Sequence, residues 1–356
     1  MDGARLIDPK NFETTLDGKA ISLYTLESGN GMTMQVTNYG GRVVSLWVPD
    51  KEGKYEDVVL GYDNIDKYLN NPGERYLGTV VGRYANRIAK GQFELDGNKY
   101  QIPVNNNGNA LHGGPGGIDS VVWNVDKVTG NELHLSYISP DGDQGFPGTL
   151  NMKMVYILTP DNEFKITYEA TTDKPTIVNL SHHSYFNLKG EGNGTALDNY
   201  MTLNASNIVP INEVCIPTGK LMPVEGTPFD FRKAHLIGDR IGNDNEQLKN
   251  GTGYDHCWVI DKKTNDGVEL AAVVYEPVSG RVMEVYTDQP GIQFYSSNWF
   301  DNVTTGKSGK PYKVRESLAL ETQKFPDSPN HPDFPSTRLD PGEVYKHTCI
   351  YKFTAK

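Results

Sequence analysis

Residues 179–188, NLSHHSYFNL, bring two imidazoles, two serine hydroxyls, two amides and two aromatic rings together between strand-like runs. Histidine is the side chain that titrates nearest neutral pH, so this stretch has the means to move protons. Adjacent side chains on a strand point to opposite faces, so one of His182 and His183 can face a site while the other packs. A second candidate is Glu321, a carboxylate set in the apolar run 317–323 (SLALETQ). Burying it is costly unless it is paired, and desolvation raises its pKa towards the range in which a general base works. The bland reading is an ion pair with a nearby Arg or Lys.

Other chemistry-bearing residues are scattered: Asn86 and Arg87 in GRYANRI (82–88), His112 in LHGG (111–114), Asp255 in GYDH (253–256) and Gln293 in GIQFY (291–295). Arginine keeps its charge and a planar donor fork, although surface salt bridging is the ordinary use of both Arg83 and Arg87. Gln293 alternates with Phe294, which sends one to a site and the other to a core, in either order. His112, His183 and Asp255 have zinc-ligand chemistry but no HExxH-like spacing, so no metal is expected.

The elements that must position these groups read as strands. Period-two alternation bounded by Gly, Pro, Asn and Asp recurs from end to end, and helical periodicity is nearly absent. Phe93, Leu95, Tyr100 and Ile102 flank an Asp96-Gly97 turn, a hairpin signal. Alternating arms over 150–158 and 164–170 flank Thr159-Pro160-Asp161-Asn162 in the same way. Further strands are expected at 34–38, 42–48, 132–138, 201–204, 269–275, 282–287 and 347–353, with short helices at 64–70 and 246–250. The Gly- and Asn-rich segment 105–117 reads as a loop, and 141–148 as a turn lacking the spacing of a calcium loop. No linker or low-complexity tract interrupts the pattern, so one all-β domain over residues 1–356 is expected.

The chain has 356 residues and a formal charge of −11, which argues against a nucleic-acid backbone or an anionic membrane surface as partner. A neutral small molecule suits it better. The three cysteines, Cys215, Cys257 and Cys349, contain no CxxC and read as buried thiols rather than a disulfide framework. No apolar run approaches the ~18 residues of a membrane span, and the first residues lack a secretory pattern. A cytoplasmic home is the expectation, with export behind a removed signal as the alternative.

Ten segments in order along the chain resemble the aldose 1-epimerase (galactose mutarotase) family. They include TNYGGRVVSLWVPD (37–50), GRYANRIAKGQFELDG (82–97), LHGG, VNLSHHSYFNL (178–188), GYDH, GIQFYSSN (291–298), LALETQKFPDSPN (318–330) and FPSTRLDPGEVY (334–345). The resemblance implies a large antiparallel β-sandwich, a supersandwich, carrying a sugar site on a concave sheet face. It implies Glu321 as general base, His183 as general acid, His112 as a second site histidine, and Asn86, Arg87, Asp255 and Gln293 as sugar anchors. This chain has His182 where the family carries Asn or another polar residue, and alternation then sends His182 to the opposite face. The implied reaction interconverts α and β anomers of free hexoses such as galactose and glucose. A base takes the O1 proton while an acid protonates the ring oxygen, each transfer typically worth roughly 10²–10⁴-fold. No cofactor is chemically required, and a monomer or homodimer binding a small sugar is expected. A glycoside hydrolase or lyase using Asp255 and Glu321, and a carbohydrate-binding protein without activity, are the competing readings.

Overall fold

The computed structural model describes residues 3–70 and 73–356. Its larger sheet has nine antiparallel strands in the order Asn124–Val128, Glu132–Ser139, Leu150–Leu158, Glu163–Thr172, Tyr345–Ala355, Arg281–Thr287, Glu269–Tyr275, Tyr200–Leu203 and His235–Leu236. Alternation in the sequence becomes alternation in burial. Leu150, Met152, Met154, Tyr156 and Leu158 all point inward, and Phe164, Ile166, Tyr168 and Ala170 answer them from the paired strand. Asn162 closes the turn between the two arms in the left-handed region, with φ of 57°, a conformation that asparagine tolerates.

Across the core lies a broken layer of shorter strands. Five form a sheet in the order Met222–Pro223, Ala205–Val209, Asp255–Ile260, Gly291–Tyr295 and Ala319–Gln323, and four another, Leu23–Glu27, Thr33–Thr37, Arg42–Pro49 and Tyr55–Asp57. Ser181–His183 pairs with Thr79–Val81, and Phe186 joins the pieces through bridges to Val59 and Leu318. One apolar cluster holds Met154, Tyr156 and Met283 of the large sheet together with Val80, Trp258 and Phe294 of the broken layer. This is the antiparallel sandwich that the family resemblance implies, built from strands that the alternation predicts, with two faced layers meeting in that cluster.

The strand Tyr345–Ala355 sits in mid-sheet, between Glu163–Thr172 and Arg281–Thr287. It also reaches across the core. The Tyr351 hydroxyl donates to Leu320 O at 2.6 Å, and His347 Nε2 and Thr322 Oγ1 are 2.7 Å apart, so both neighbours of Glu321 are fastened from the opposite layer.

The expected strands are present to within about two residues at their ends, the usual scatter of strand boundaries. Among the described residues the α-helices are Ile65–Asn70 and Glu246–Gly251, the second capped by the Asn245 side chain, which accepts from Gln247 N and Leu248 N. Three expectations need correction. Arg83 is not a surface ion-pairing residue: it is buried, and its guanidinium donates to Pro147 O at 2.8 Å, Gly148 O at 2.9 Å and Thr176 Oγ1 at 3.2 Å. Fixed carbonyl and hydroxyl oxygens take the place of the expected carboxylate at its two terminal nitrogens, while Nε finds no partner among the described residues. The loop 105–117 contains a short strand, Ala110–Leu111, paired with Arg87–Ile88, because the amide side chain of Asn105 ties its ends to Leu111. Cys215 is half-buried rather than buried, while Cys257 and Cys349 are buried, and all three are free thiols. Among the described residues no helix is long and apolar enough to cross a membrane.

Of Gln293 and Phe294 it is Phe294 that enters the core, beside Ile292 of the same strand. Phe294→Ala is expected to lower the unfolding free energy by about 3–5 kcal/mol, read from urea denaturation. A loss below about 1 kcal/mol would mean that this ring is not packed between the layers.

Candidate active site

Three neighbouring strands of the five-stranded sheet set the floor of the site. In their antiparallel register Cys257 stands opposite Gln293, and Gln293 opposite Glu321; one step along, Asp255 stands opposite Tyr295. Directly paired residues share a face, so Asp255, Gln293 and Glu321 project together on the side away from Trp258, Ile292, Phe294 and Leu320. Gln293 Nε2 donates to Asp255 Oδ1 at 2.8 Å, and Gln323 Nε2 to Gln293 Oε1 at 3.4 Å.

The paired histidines divide as alternation requires. His182 turns into the core, its ring centroid 5.4 Å from Phe164 and 5.9 Å from Tyr156, with Nε2 2.5 Å from Ser184 Oγ. His183 turns the other way: it stacks on Tyr185 at 4.8 Å and Tyr76 at 5.9 Å, and its Nε2 lies 3.5 Å from Glu321 Oε1. His256 is likewise a core residue, 4.6 Å from the Phe229 ring, which leaves Asp255 alone on the site face.

Loops close the site from above. The Arg87–Ile88 and Ala110–Leu111 pairing sets His112 beside Asn86, and the two exchange hydrogen bonds: His112 N donates to Asn86 O, and Asn86 N donates to His112 Nδ1 at 3.0 Å. The second link decides the tautomer. A backbone N–H can only donate, so Nδ1 accepts and the ring proton of neutral His112 sits on Nε2, 3.9 Å from Glu321 Oε1. Gly113 makes the tight approach possible: a Cβ there would fall 2.0 Å from Gly82 O, at φ of +86°. Arg87 is half-buried, and its Nε donates to Asn106 Oδ1 at 3.2 Å. All seven residues expected at the site thus meet in one region.

Burial sets the electrostatics. Glu321 is 2% exposed and its carboxyl is held well above the ordinary carboxylate value, first by desolvation and then by the charge of Asp255, with Arg87 opposing. Desolvation likewise raises Asp255, opposed by Arg87 and by the Gln293 hydrogen bond. His183 is pushed down to about 3, chiefly by burial. His112 is pushed well below its usual range by burial and then by His183 and Arg87. Glu321 Oε1 and His183 Nδ1 find no hydrogen-bond partner among the described residues. A buried carboxyl oxygen left in this way costs about 1–3 kcal/mol, a cost that a hydroxyl-bearing ligand would relieve.

Sequence reading missed three contributors. Tyr76 walls the site, its ring 4.7 Å from His112, and Glu74 acts on the Glu321 carboxyl through its charge and hydrogen-bonds Tyr76 N. Both lie in a turn segment with no pattern to mark them. Gln323 was within reach, since it follows Glu321 by two positions and must share its face.

His112, His183 and Glu321 bring one donor atom each to within 4.8 Å of one another, a spacing that invites a metal. The hydrogen bonding argues against it. A histidine ligating through Nε2 needs its proton on Nδ1, and that position already faces the Asn86 N–H.

The aldose 1-epimerase family profile matches residues 22–352. Galactose mutarotase of Rattus norvegicus is 41% identical over 95% of this chain and 95% of its own length, and aldose 1-epimerase of Escherichia coli K12 is 37% identical over 96% and 97%. Among solved structures, an aldose epimerase homologue from C. elegans superposes with a TM-score of 0.86 at 30% identity, covering 94% of this chain and 99% of that one. Galactose 1-epimerase from Lactobacillus acidophilus NCFM gives 0.83 at 30% identity, covering 97% of each.

Because the His112 tautomer is fixed against ligation, chelator treatment is expected to leave activity unchanged, and calorimetric titration with zinc chloride at neutral pH should show no one-to-one complex at this site. Stoichiometric zinc binding that disappears in His112→Ala would contradict the tautomer.

Proposed function

The chain belongs to the aldose 1-epimerase family and is an isomerase that interconverts the anomers of free aldoses, and we propose that Glu321 and His183 carry the proton transfers of that reaction. The observation that supports this reading above all is the 3.5 Å approach of His183 Nε2 to a buried, unpartnered Glu321 Oε1 on a face rich in hydroxyl-binding groups. Glu321 takes the proton from O1 of the pyranose and His183 gives one to O5; the C1–O5 bond breaks and the free aldehyde forms. Rotation about C1–C2 presents the other face of the carbonyl. Glu321 then returns its proton to O1, His183 recovers its own from the O5 hydroxyl, and the ring closes as the opposite anomer.

Proton placement follows from burial. The pair shares one proton, and in a dry site the neutral form, carboxylic acid beside imidazole, is favoured over the ion pair. That neutral form is also the state of the two groups once the sugar has opened. The ion pair needed for opening is reached when hydroxyls of the sugar supply the partners that Glu321 lacks. His112, a fixed Nε2–H donor, holds a sugar oxygen, Arg87 and Asn86 donate to others, and Asp255, oriented by Gln293, accepts from a further hydroxyl. Galactose is the first substrate to test, because relatives carry it in their names, with glucose second. A monomer or homodimer acting on such a sugar is the assembly we favour.

Polarimetry of freshly dissolved α-galactose tests the assignment. Glu321→Gln and His183→Asn are each expected to slow enzymatic mutarotation by roughly 10²–10⁴-fold. An unchanged rate in either variant would remove that residue from the mechanism.

The pH profile tests the proton count. The working pair holds one proton, so activity is lost as pH falls through the His183 value of about 3 and again as pH rises through the raised Glu321 value. Asp255 helps hold that upper value up. Asp255→Asn should therefore draw the alkaline limb of kcat/KM to lower pH, and a shift to higher pH would refute the arrangement.

A further inference from the structure

Asn179 opens the stretch that carries His183, yet it touches neither His183 nor Glu321. It is fully buried, at 0% exposure, and every polar atom it owns is engaged. Its backbone exchanges hydrogen bonds with the anchor loop, receiving Ala85 N at Asn179 O (2.6 Å) and donating Asn179 N to Arg83 O (3.0 Å). Its side chain joins two further segments: Nδ2 donates to Ala85 O at 3.2 Å, Oδ1 accepts from Lys324 N at 2.9 Å, and Nδ2 also lies 3.5 Å from Lys324 O. Lys324 directly follows the Glu321 strand, and Ala85 directly precedes Asn86, whose N–H fixes His112. One amide therefore lies at the crossing of the three chain segments that bring the acid, the base and the sugar-holding loop together.

From this geometry we propose that Asn179 is a positioning residue for the reaction: it sets the Asn86–Arg87 loop, and through it His112, against the Glu321 strand. The proposal rests on the acid–base reading above. An aspartate at 179 could still accept from Lys324 N, but its second oxygen would face Ala85 O and Lys324 O, two acceptors, and drive the anchor loop away. A merely structural asparagine would lose stability without that effect. The same stretch supplies the comparison: Asn187 is equally buried and its Nδ2 donates to Gly194 O at 2.8 Å and Glu316 O at 2.7 Å, away from every site residue.

The experiment compares Asn179→Asp with Asn187→Asp by galactose mutarotation kinetics, thermal unfolding and ¹⁵N NMR of the histidine rings. Asn179→Asp is expected to raise KM by roughly tenfold to a hundredfold, the scale of a ~1 Å displacement, and to disturb the signature of His112 with Nδ1 as acceptor. Asn187→Asp is expected to lower the melting temperature and leave both KM and the His112 signature unchanged. If Asn179→Asp fails to fold, Asn179→Ser, which keeps a single short polar atom, should show the same KM rise on a smaller scale. Equal effects of the 179 and 187 variants on stability, with KM and the His112 signature unmoved in both, would overturn the proposal. The NMR readout needs no turnover, so absence of mutarotation in the unaltered chain would count against the acid–base reading and leave the positioning role to be judged on His112 alone.

Discussion

The constraint on which this molecule turns is a carboxyl group kept dry. Glu321 stands on a strand whose every residue is buried, with apolar neighbours beneath it and one oxygen that no group among the described residues hydrogen-bonds. Stability alone would replace it by an apolar side chain. The proposed reaction gives it a use: desolvation makes the carboxyl basic enough to take a proton from a hydroxyl and weak enough as an acid to hold that proton until ring closure. Arg87 keeps the effect from becoming prohibitive, while Asp255 and Glu74 push the other way, so the poise of Glu321 is a balance among three charges on three segments.

Holding that balance requires a rigid frame. The large sheet grips Leu320 and Thr322 on either side of Glu321, the five-stranded sheet sets Gln293 and Asp255 in register beside it, and the exchange between Asn86 and His112 locks the covering loop. Each restraint is a hydrogen bond between groups nearly or wholly withdrawn from water, where such bonds weigh more than at the surface. The division of His182 and His183 between core and site belongs to the same frame, since a slip of one residue would exchange the two rings.

Much of this was legible in the sequence, and the reasons differ by element. The hairpin of 150–158 with 164–170 has one apolar face per arm and a turn of known chemistry, so periodicity alone identifies it. The two-residue strands, such as Ala110–Leu111, leave no periodic trace; they exist because Asn105 and the partner segment hold them, which is tertiary information. At the site, alternation places Gln323 on the face of Glu321, and family resemblance supplies the assembly of distant segments. Neither signal marks Glu74 or Tyr76. Arg83 misled for a related reason: arginine on a polar segment reads as surface, and only the fold shows three carbonyl and hydroxyl oxygens waiting for its guanidinium.

The place of Tyr345–Ala355 in mid-sheet bears on how the molecule comes into being. This segment is made after every strand it joins, and until it arrives Glu163–Thr172 and Arg281–Thr287 present open edges to each other and to any passing chain. Tyr351 and His347, which clasp the flanks of Glu321, arrive with it. On the ribosome the earlier strands can pair into two separate halves, but the seam between them closes, and the flanks of Glu321 are fastened, only when synthesis has passed the last of these residues. A nascent chain released short of residue 345 would carry every residue of the candidate site and neither of the clasps that flank Glu321.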